Sequence, residues 1–184
     1  MKTAALILAA GASTRLGQPK QLVRLGEETL LGRAIRLANE AGCEPIVVVL
    51  GANREEIEAV VSLGSIHVVH NDEWQEGMAS SIRAGLRDLA VGMTEGVLVM
   101  ACDQPRVTVE HLRALLGVNG LASSRYAGRR GVPAVFPRDL FSELMKLQGD
   151  TGARDILQHE SVTVIDLPGG EVDIDTPEDL EKLK

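Results

Sequence analysis

Three short runs, residues 4–9, 46–50 and 97–101, are apolar at every position, and they constrain the fold of this chain more than any other feature. A strand with one wet face alternates apolar and polar residues. A strand that is apolar throughout is buried on both faces, and such strands belong to parallel sheets covered by helices. Amphipathic stripes separate the runs. Leu30, Leu31, Ala34, Ile35, Leu37, Ala38 and Ala41 form the first, with Gly42 placed to end it. Asn53 and Glu56 have the spacing of a capping pair ahead of Ile57, Val60 and Val61. Met78, Ile82, Leu86 and Leu89 form another stripe, followed by Gly92. Thr108 is placed to cap a helix carrying Val109, Leu112, Leu115 and Leu116, with Gly117 at its end. Alternating strands and helices predict an α/β fold of three layers, a mainly parallel (mixed) sheet with helices on both faces.

The second half is less regular. Residues 132–136 and 162–167 read as strands, and 138–147 and 151–158 as helices. Thr176-Pro177-Glu178-Asp179 reads as a helix start, with a capping Thr, Pro in the first turn and an acid to close the box. No repeat, low-complexity tract or linker divides the chain, so residues 1–184 read as a single domain.

Composition removes several functions. The net charge is −7 and there is no long Lys/Arg run, which argues against a nucleic-acid partner. Aromatic residues make up 2% of the chain, leaving few platforms for stacked bases and assigning base recognition to backbone and aliphatic groups. Cys43 and Cys102 are far apart and read as reduced, buried residues. His67, His70, His111 and His159 show no nucleophile–base spacing. The first apolar run is too short to span a bilayer, and no secretory leader pattern is present. These features predict a cytoplasmic protein with no membrane partner.

In an open α/β sheet, ligands bind beyond the carboxyl ends of the strands. The first such end reads Leu8-Ala9-Ala10-Gly11-Ala12-Ser13-Thr14-Arg15-Leu16-Gly17-Gln18-Pro19-Lys20. Small residues let the backbone approach a ligand, N–H groups can cradle phosphate oxygens, and Arg15 and Lys20 add positive charge. The spacing excludes a Walker loop, because five residues separate Gly11 from Gly17 and Gln18-Pro19 precede Lys20. It also excludes the dinucleotide fingerprint, because position 13 is Ser. A third kind of phosphate loop remains, long enough to wrap a triphosphate.

Two acidic sites accompany it. Asp103, in Ala101-Cys102-Asp103-Gln104-Pro105, follows the third apolar run and so lies on the same edge as the loop. A carboxylate beside phosphates suits Mg²⁺, which takes oxygen ligands and shares them with phosphates. In Asp173-Ile174-Asp175, an extended backbone sends both carboxylates to the same side, where they repel unless a cation is near. Either can serve as the second metal ligand. Between these sites, Gly77 permits close approach, and Ser80 and Ser81 fall in the first turn of a helix, where N–H groups and hydroxyls can meet a base or ribose.

The pattern Leu-Ala-Ala-Gly-x-Ser-x-Arg-Leu-Gly-x-Pro-Lys resembles the signature of the MobA-like nucleotidyltransferases. Ala-Ala-Gly, Pro-Lys and Asp-Gln-Pro, with Gly149-Asp150-Thr151-Gly152-Ala153-Arg154 and Asp173-Ile174-Asp175-Thr176-Pro177, resemble the molybdenum cofactor cytidylyltransferase branch. The resemblance spans Leu8 to Leu180 and implies a Rossmann-like nucleotidyltransferase fold over the whole chain. It implies that Leu8, Ala9, Ala10, Gly11, Arg15 and Lys20 hold the NTP, with Gly77, Ser80 and Ser81 at the nucleoside. Arg15, Lys20 and Asp103 would serve catalysis. Asp103 with Asp175, or with its neighbour Asp173, would hold Mg²⁺. Gln104, Asp150 and Arg154 would meet the acceptor. The implied reaction moves CMP from CTP to the phosphate of molybdopterin and releases pyrophosphate. GTP, a sugar phosphate acceptor or a non-catalytic nucleotide-binding module are the alternatives. The implied recipient of the product is a molybdenum hydroxylase or its chaperone.

Overall fold

The structure is a computed structural model that describes residues 2–183, apart from 90, 91, 93, 151, 159 and 160. Strand β1 (Thr3–Ala9) leads through a small hairpin, β2 (Arg24–Leu25) and β3 (Glu28–Thr29), into α1 (Leu30–Glu40). Then come β4 (Ile46–Leu50), α2 (Arg54–Val60), β5 (His67–His70), α3 (Met78–Leu89), β6 (Gly96–Ala101) and α4 (Val109–Leu116). The second half adds β7 (Ala122–Tyr126), β8 (Arg129–Pro137), α5 (Phe141–Leu144) and β9 (Thr163–Asp166).

Seven strands form one sheet in the order β5-β4-β1-β6-β8-β7-β9. The three apolar runs are its adjacent middle strands β4, β1 and β6, all parallel. Their composition requires cover on both sides, and both sides are covered. Ala5, Ile7 and Ala9 pack towards Leu31 and Leu37 of α1, Ile57 of α2 and Leu112 and Leu115 of α4. Ala4, Leu6 and Leu8 pack towards Ile82, Leu86 and Leu89 of α3 and Leu144 of α5. Helix α3 lies very close to the sheet: a Cβ at Gly85 would sit 2.1 Å from Leu6 Cδ1. Beyond β6 the sheet turns antiparallel through β8 and β7, and β9 closes it in parallel with β7. The mixed, three-layer fold is the expected one.

Local expectations differ in instructive ways. Thr108 caps α4, accepting from His111 N–H at 3.2 Å. Asn53 does not cap α2, because its own left-handed backbone (φ 57°) leaves its side chain without a cap hydrogen bond. Val60, counted in the stripe of α2, is 57% exposed. The helix expected over 138–147 is a 3-10 turn (Arg138–Leu140) followed by the single turn of α5. The one expected over 151–158 is reduced to a 3-10 turn, Ile156–Gln158, because Gly152 is left-handed (φ 57°); Thr151 lies outside the described residues. At the last helix start the acid, not the threonine, accepts the capping bonds. Asp179 Oδ2 takes the N–H groups of Asp175 (3.1 Å) and Thr176 (2.9 Å) and the Thr176 hydroxyl (2.9 Å), ahead of the 3-10 helix Pro177–Leu183.

A small third cluster positions the site. Leu16 from the glycine loop, Val23, Leu30 and Ile174 bury one another. Ile174 is fully buried, and its N–H donates to the Asp103 carbonyl at 3.1 Å. That anchor brings a segment 70 residues downstream of Asp103 to the carboxyl end of β6.

Candidate active site

The glycine loop leaves β1 where the sheet stops supplying partners for its backbone. Gln21, completely buried, takes over: its Nε2 donates to the Ala9 carbonyl (2.6 Å) and the Gly11 carbonyl (3.1 Å). A trans peptide sets each carbonyl antiparallel to the next N–H. Turning the Gly11 carbonyl onto Gln21 therefore directs the Ala12 N–H away from Gln21. The far side of the loop closes on Ser13, whose Oγ accepts the Lys20 N–H at 3.0 Å. A Cβ built at Gly11 would meet open space, so nothing of the chain fills the position beside it.

Beneath the loop lies a cavity of about 220 Å³ lined by Leu8, Ala9, Ala10, Gly11, Lys20, Asp103 and Ser81, among others. At its floor the charges interlock. Lys20 Nζ sits between Asp103, with which it makes a close ion pair, and Asp175, 3.0 Å away. Arg15, on the exposed rim, reaches Asp175 Oδ2 at 3.1 Å. The Lys20 and Asp103 side chains are only 18% and 14% exposed, so the pair acts in a poorly screened environment. Burial works against the Lys20 charge, but Asp103 and Asp175 outweigh it and hold its pKa above the ordinary lysine value. The ammonium thus occupies the place at which a cation neutralises both carboxylates. The donor set fits a hard divalent ion: carboxylate oxygens beside the glycine loop, with soft ligands absent from the pair. No group of three His, Cys, Asp or Glu side chains among the described residues could form a closed metal cage. Such an ion would therefore depend on phosphate oxygens and water for its remaining ligands.

Asp173 parts from Asp175 here. It lines a second cavity, also about 220 Å³, with Tyr126, Arg129, Arg130, Arg154 and Asp150. Asp173 is exposed at the cavity rim, yet the walls limit its hydration. That burial, then the charges of Asp103 and Asp175, push its pKa up to about 7. Met78 and Asp150 line both cavities and so form their common wall.

The start of α3 departs from expectation. Its first two N–H groups are spent on the chain itself: Met78 N–H donates to Asp150 Oδ1 (3.3 Å) and Ala79 N–H to the Gly149 carbonyl (3.0 Å). Asp150, expected at the acceptor, thus caps a helix 70 residues upstream. Gly77 is required by this packing, since a Cβ there would lie 2.7 Å from the Gly149 carbonyl oxygen. Arg83 clamps the same junction, pairing with Glu76 (2.6 Å) and donating to the Leu147 carbonyl (2.6 Å). Ser81 lines the first cavity, while Ser80 turns its hydroxyl to the Gly77 carbonyl at 2.9 Å. Gln104 spends its amide on the Val132 and Gly170 carbonyls, each at 3.2 Å, tying β8 to the turn after β9.

Other expectations and omissions are equally concrete. Cys43 and Cys102 are free and buried, and burial pushes each thiol up to about 12. His67 and His70 pair with Asp88 and Glu58 on the surface. His111 is buried against Ser124 Oγ at 2.7 Å, and burial lowers its pKa; His159 lies outside the described residues. The sequence reading missed Gln21, Asn71 and the aromatic walls. With one Trp and one Tyr in the chain, scarcity hid their placement: Trp74 lines the first cavity and Tyr126 the second.

A mixed α/β sheet with a glycine loop, a half-buried lysine and two carboxylates at one edge is the architecture of a nucleotide-handling transferase. The chain belongs to the MobA-like NTP transferase family, whose model matches residues 5–164. It is an enzyme of the nucleotidyltransferase type. It is 34% identical to the nicotine blue oxidoreductase of Paenarthrobacter nicotinovorans, with 97% of this chain and 94% of the relative covered. It is 25% identical to the molybdenum cofactor cytidylyltransferase of Escherichia coli K12, with the same coverage. Among solved structures, Rv0371c of Mycobacterium tuberculosis H37Rv superposes with a TM-score of 0.88 at 31% identity, covering 100% of this chain and 97% of that one. A manganese complex of Rv0371c superposes with a TM-score of 0.83 at 29% identity, covering 100% and 98%. Among the described residues, no helix is long and apolar enough to cross a membrane.

Proposed function

We propose that the chain transfers CMP from CTP to the terminal phosphate of a molybdopterin-type acceptor and releases pyrophosphate. The observation that carries the reading is the Lys20 ammonium between Asp103 and Asp175 at the floor of the glycine-loop cavity. It marks a position where a cation is held against phosphate-binding backbone. Leu8 to Gly11 bring the backbone against the triphosphate, and Lys20 and Arg15 offset its charge. Asp103 and Asp175 would hold Mg²⁺, which would supply charge neutralisation at the reacting phosphate. Support for a divalent ion comes from the manganese complex of Rv0371c. The acceptor lies in the second cavity, its anionic groups met by Arg154, Arg129 and Arg130. A phosphate oxygen of the acceptor attacks the α-phosphorus in line, the bond to the bridging oxygen breaks, and pyrophosphate leaves. The nucleophile is already ionised near neutral pH, so no general base is needed, and catalysis is positioning and charge stabilisation.

Support for cytosine and for molybdopterin comes from the loop motifs and from the E. coli relative. GTP or another phosphorylated acceptor is the alternative within the same chemistry. The deciding measurement is pyrophosphate release with Mg²⁺, molybdenum-loaded molybdopterin and each of CTP, GTP, ATP and UTP. Release with CTP alone and a cytidylylated pterin is the expected result. Release with another nucleotide keeps the chemistry and overturns the base. Tight binding with no release overturns the acceptor and favours a nucleotide-binding role.

A further inference from the structure

Asn71 follows β5 directly and is 4% exposed. The partners of its side chain define its orientation. Oδ1 accepts the Glu73 N–H at 3.0 Å, and only the oxygen end of an amide can do so. The Nδ2 group therefore faces the other way and gives its two hydrogens to Ser80 Oγ (2.8 Å) and Ser81 Oγ (3.0 Å). Each serine hydroxyl accepts from Asn71 and has one hydrogen left. Ser80 gives its hydrogen to the Gly77 carbonyl. Among the described residues, Ser81 shows no such acceptor, and Ser81 is the serine that lines the glycine-loop cavity. Counting hydrogens through the network leaves one donor unspent, at the cavity wall.

We infer that Asn71 is a positioning residue that fixes Ser81 Oγ as a hydrogen-bond donor to the nucleotide, so that this wall selects an acceptor oxygen, either a carbonyl of the base or a ribose oxygen. The inference rests on the reading of this cavity as the NTP site. Polarity is the point. Were an acceptor to stand where Asn71 Nδ2 stands, it would draw the Ser81 hydrogen to itself, and the cavity would meet a lone pair instead. A hydroxyl free to rotate serves either partner. One that accepts from a buried amide is held with its hydrogen turned to the cavity, so it meets an acceptor without reorienting, whereas a nucleotide donor must compete for its remaining lone pair.

The test is equilibrium binding of CTP, UTP, GTP and ATP, by calorimetry with Mg²⁺, to wild type, Ser81→Ala, Asn71→Asp and the double variant. Asn71→Asp keeps the shape and reverses the polarity. Loss of one hydrogen bond should weaken the best-bound nucleotide roughly three- to tenfold in Ser81→Ala and more in Asn71→Asp, whose added negative charge also repels the triphosphate; the double variant should be no weaker than Asn71→Asp alone, because both remove the same donor. Ser81→Thr, which keeps the hydroxyl, should restore binding. Analogues with the base oxygen replaced by sulfur, or lacking the 2′ or the 3′ hydroxyl, name the oxygen: the one it contacts should cost affinity in wild type and cost nothing further in Ser81→Ala. Undiminished binding by Ser81→Ala overturns the inference, as do additive losses in the double variant. Should Asn71→Asp not fold, Ser81→Ala against the analogues decides alone. Absence of any nucleotide binding by wild type overturns the site reading itself and the inference with it.

Discussion

The two cavities are of equal size and share a wall, yet they are built on opposite principles. The glycine-loop cavity grows from the parallel half of the sheet, and its charges are already balanced: Lys20 and Arg15 pair with Asp103 and Asp175. The second cavity grows from the antiparallel half and from turns, and it gathers Arg129, Arg130 and Arg154 with Asp150 and Asp173 at its wall. On the proposed reading, the first cavity exchanges one cation arrangement for another around a triphosphate. The second is arranged to attract an anion. Damage to the first cavity should therefore abolish chemistry, and damage to the second should weaken only acceptor binding.

The largest effect is expected at Asp103. Asp103→Ala removes half of the cation-binding pair and should lower turnover by about 10³-fold or more, on the several-kcal/mol scale of metal catalysis, while thermal melting shows a folded protein. Normal turnover in folded Asp103→Ala protein would break the comparison at its root. Lys20→Ala comes next. It removes a charge aimed at the triphosphate and should cost about 10²-fold in kcat/KM for the NTP, with little change in the acceptor's KM. It also leaves Asp103 without its ion-pair partner and Asp175 with Arg15 alone, so the variant should gain more thermal stability from added Mg²⁺ than wild type does. An equal gain would mean that the two carboxylates do not share a cation. Arg154→Ala should be milder and of the opposite kind, about a tenfold rise in the acceptor's KM with NTP binding unchanged. A matching loss of NTP affinity would merge the two cavities into one site.

The same division explains how much of the molecule was legible in the sequence. Strands β1, β4 and β6 could be read because burial on both faces erases alternation, which is a property of each run by itself. Loop residues Arg15 and Lys20 and the end-of-strand Asp103 followed, since strand ends are where an α/β sheet exposes its backbone. β7 was missed: Ala122-Ser123-Ser124-Arg125-Tyr126 has no apolar run, and its buried Ser124 is satisfied only by tertiary neighbours, His111 and the Pro133 carbonyl. Asp150 was read at the second cavity, which it lines, but its cap on α3, more than 70 residues away, was not read, because no local pattern encodes such a contact. Gln21 and Asn71 were invisible for a related reason. Buried amides act through the carbonyls and hydroxyls they hold, and those partners are chosen by the fold.

Asp173 lines the second cavity but feels the carboxylates of the first, and its titration tests which of them it serves. It lines the arginine cavity, but burial and the charges of Asp103 and Asp175 raise its pKa from 3.8 to about 7. The sign follows directly. Below about pH 4 the group is protonated in both folded and unfolded chains and costs nothing. Between there and neutrality the unfolded chain gives up the proton while the native state keeps it, so unfolding releases a proton and stability falls as pH rises. The penalty is complete above about pH 7. Other carboxylates titrate over the same range, so the informative quantity is the difference between wild type and Asp173→Asn. In metal-free protein the urea midpoints of the two should coincide near pH 4 and separate in favour of Asp173→Asn as pH rises to about 8. Added Mg²⁺ should then close part of that gap, because a cation between Asp103 and Asp175 relieves the repulsion that Asp173 feels. A gap that Mg²⁺ leaves untouched would detach Asp173 from the carboxylate pair and assign it wholly to the arginine cavity.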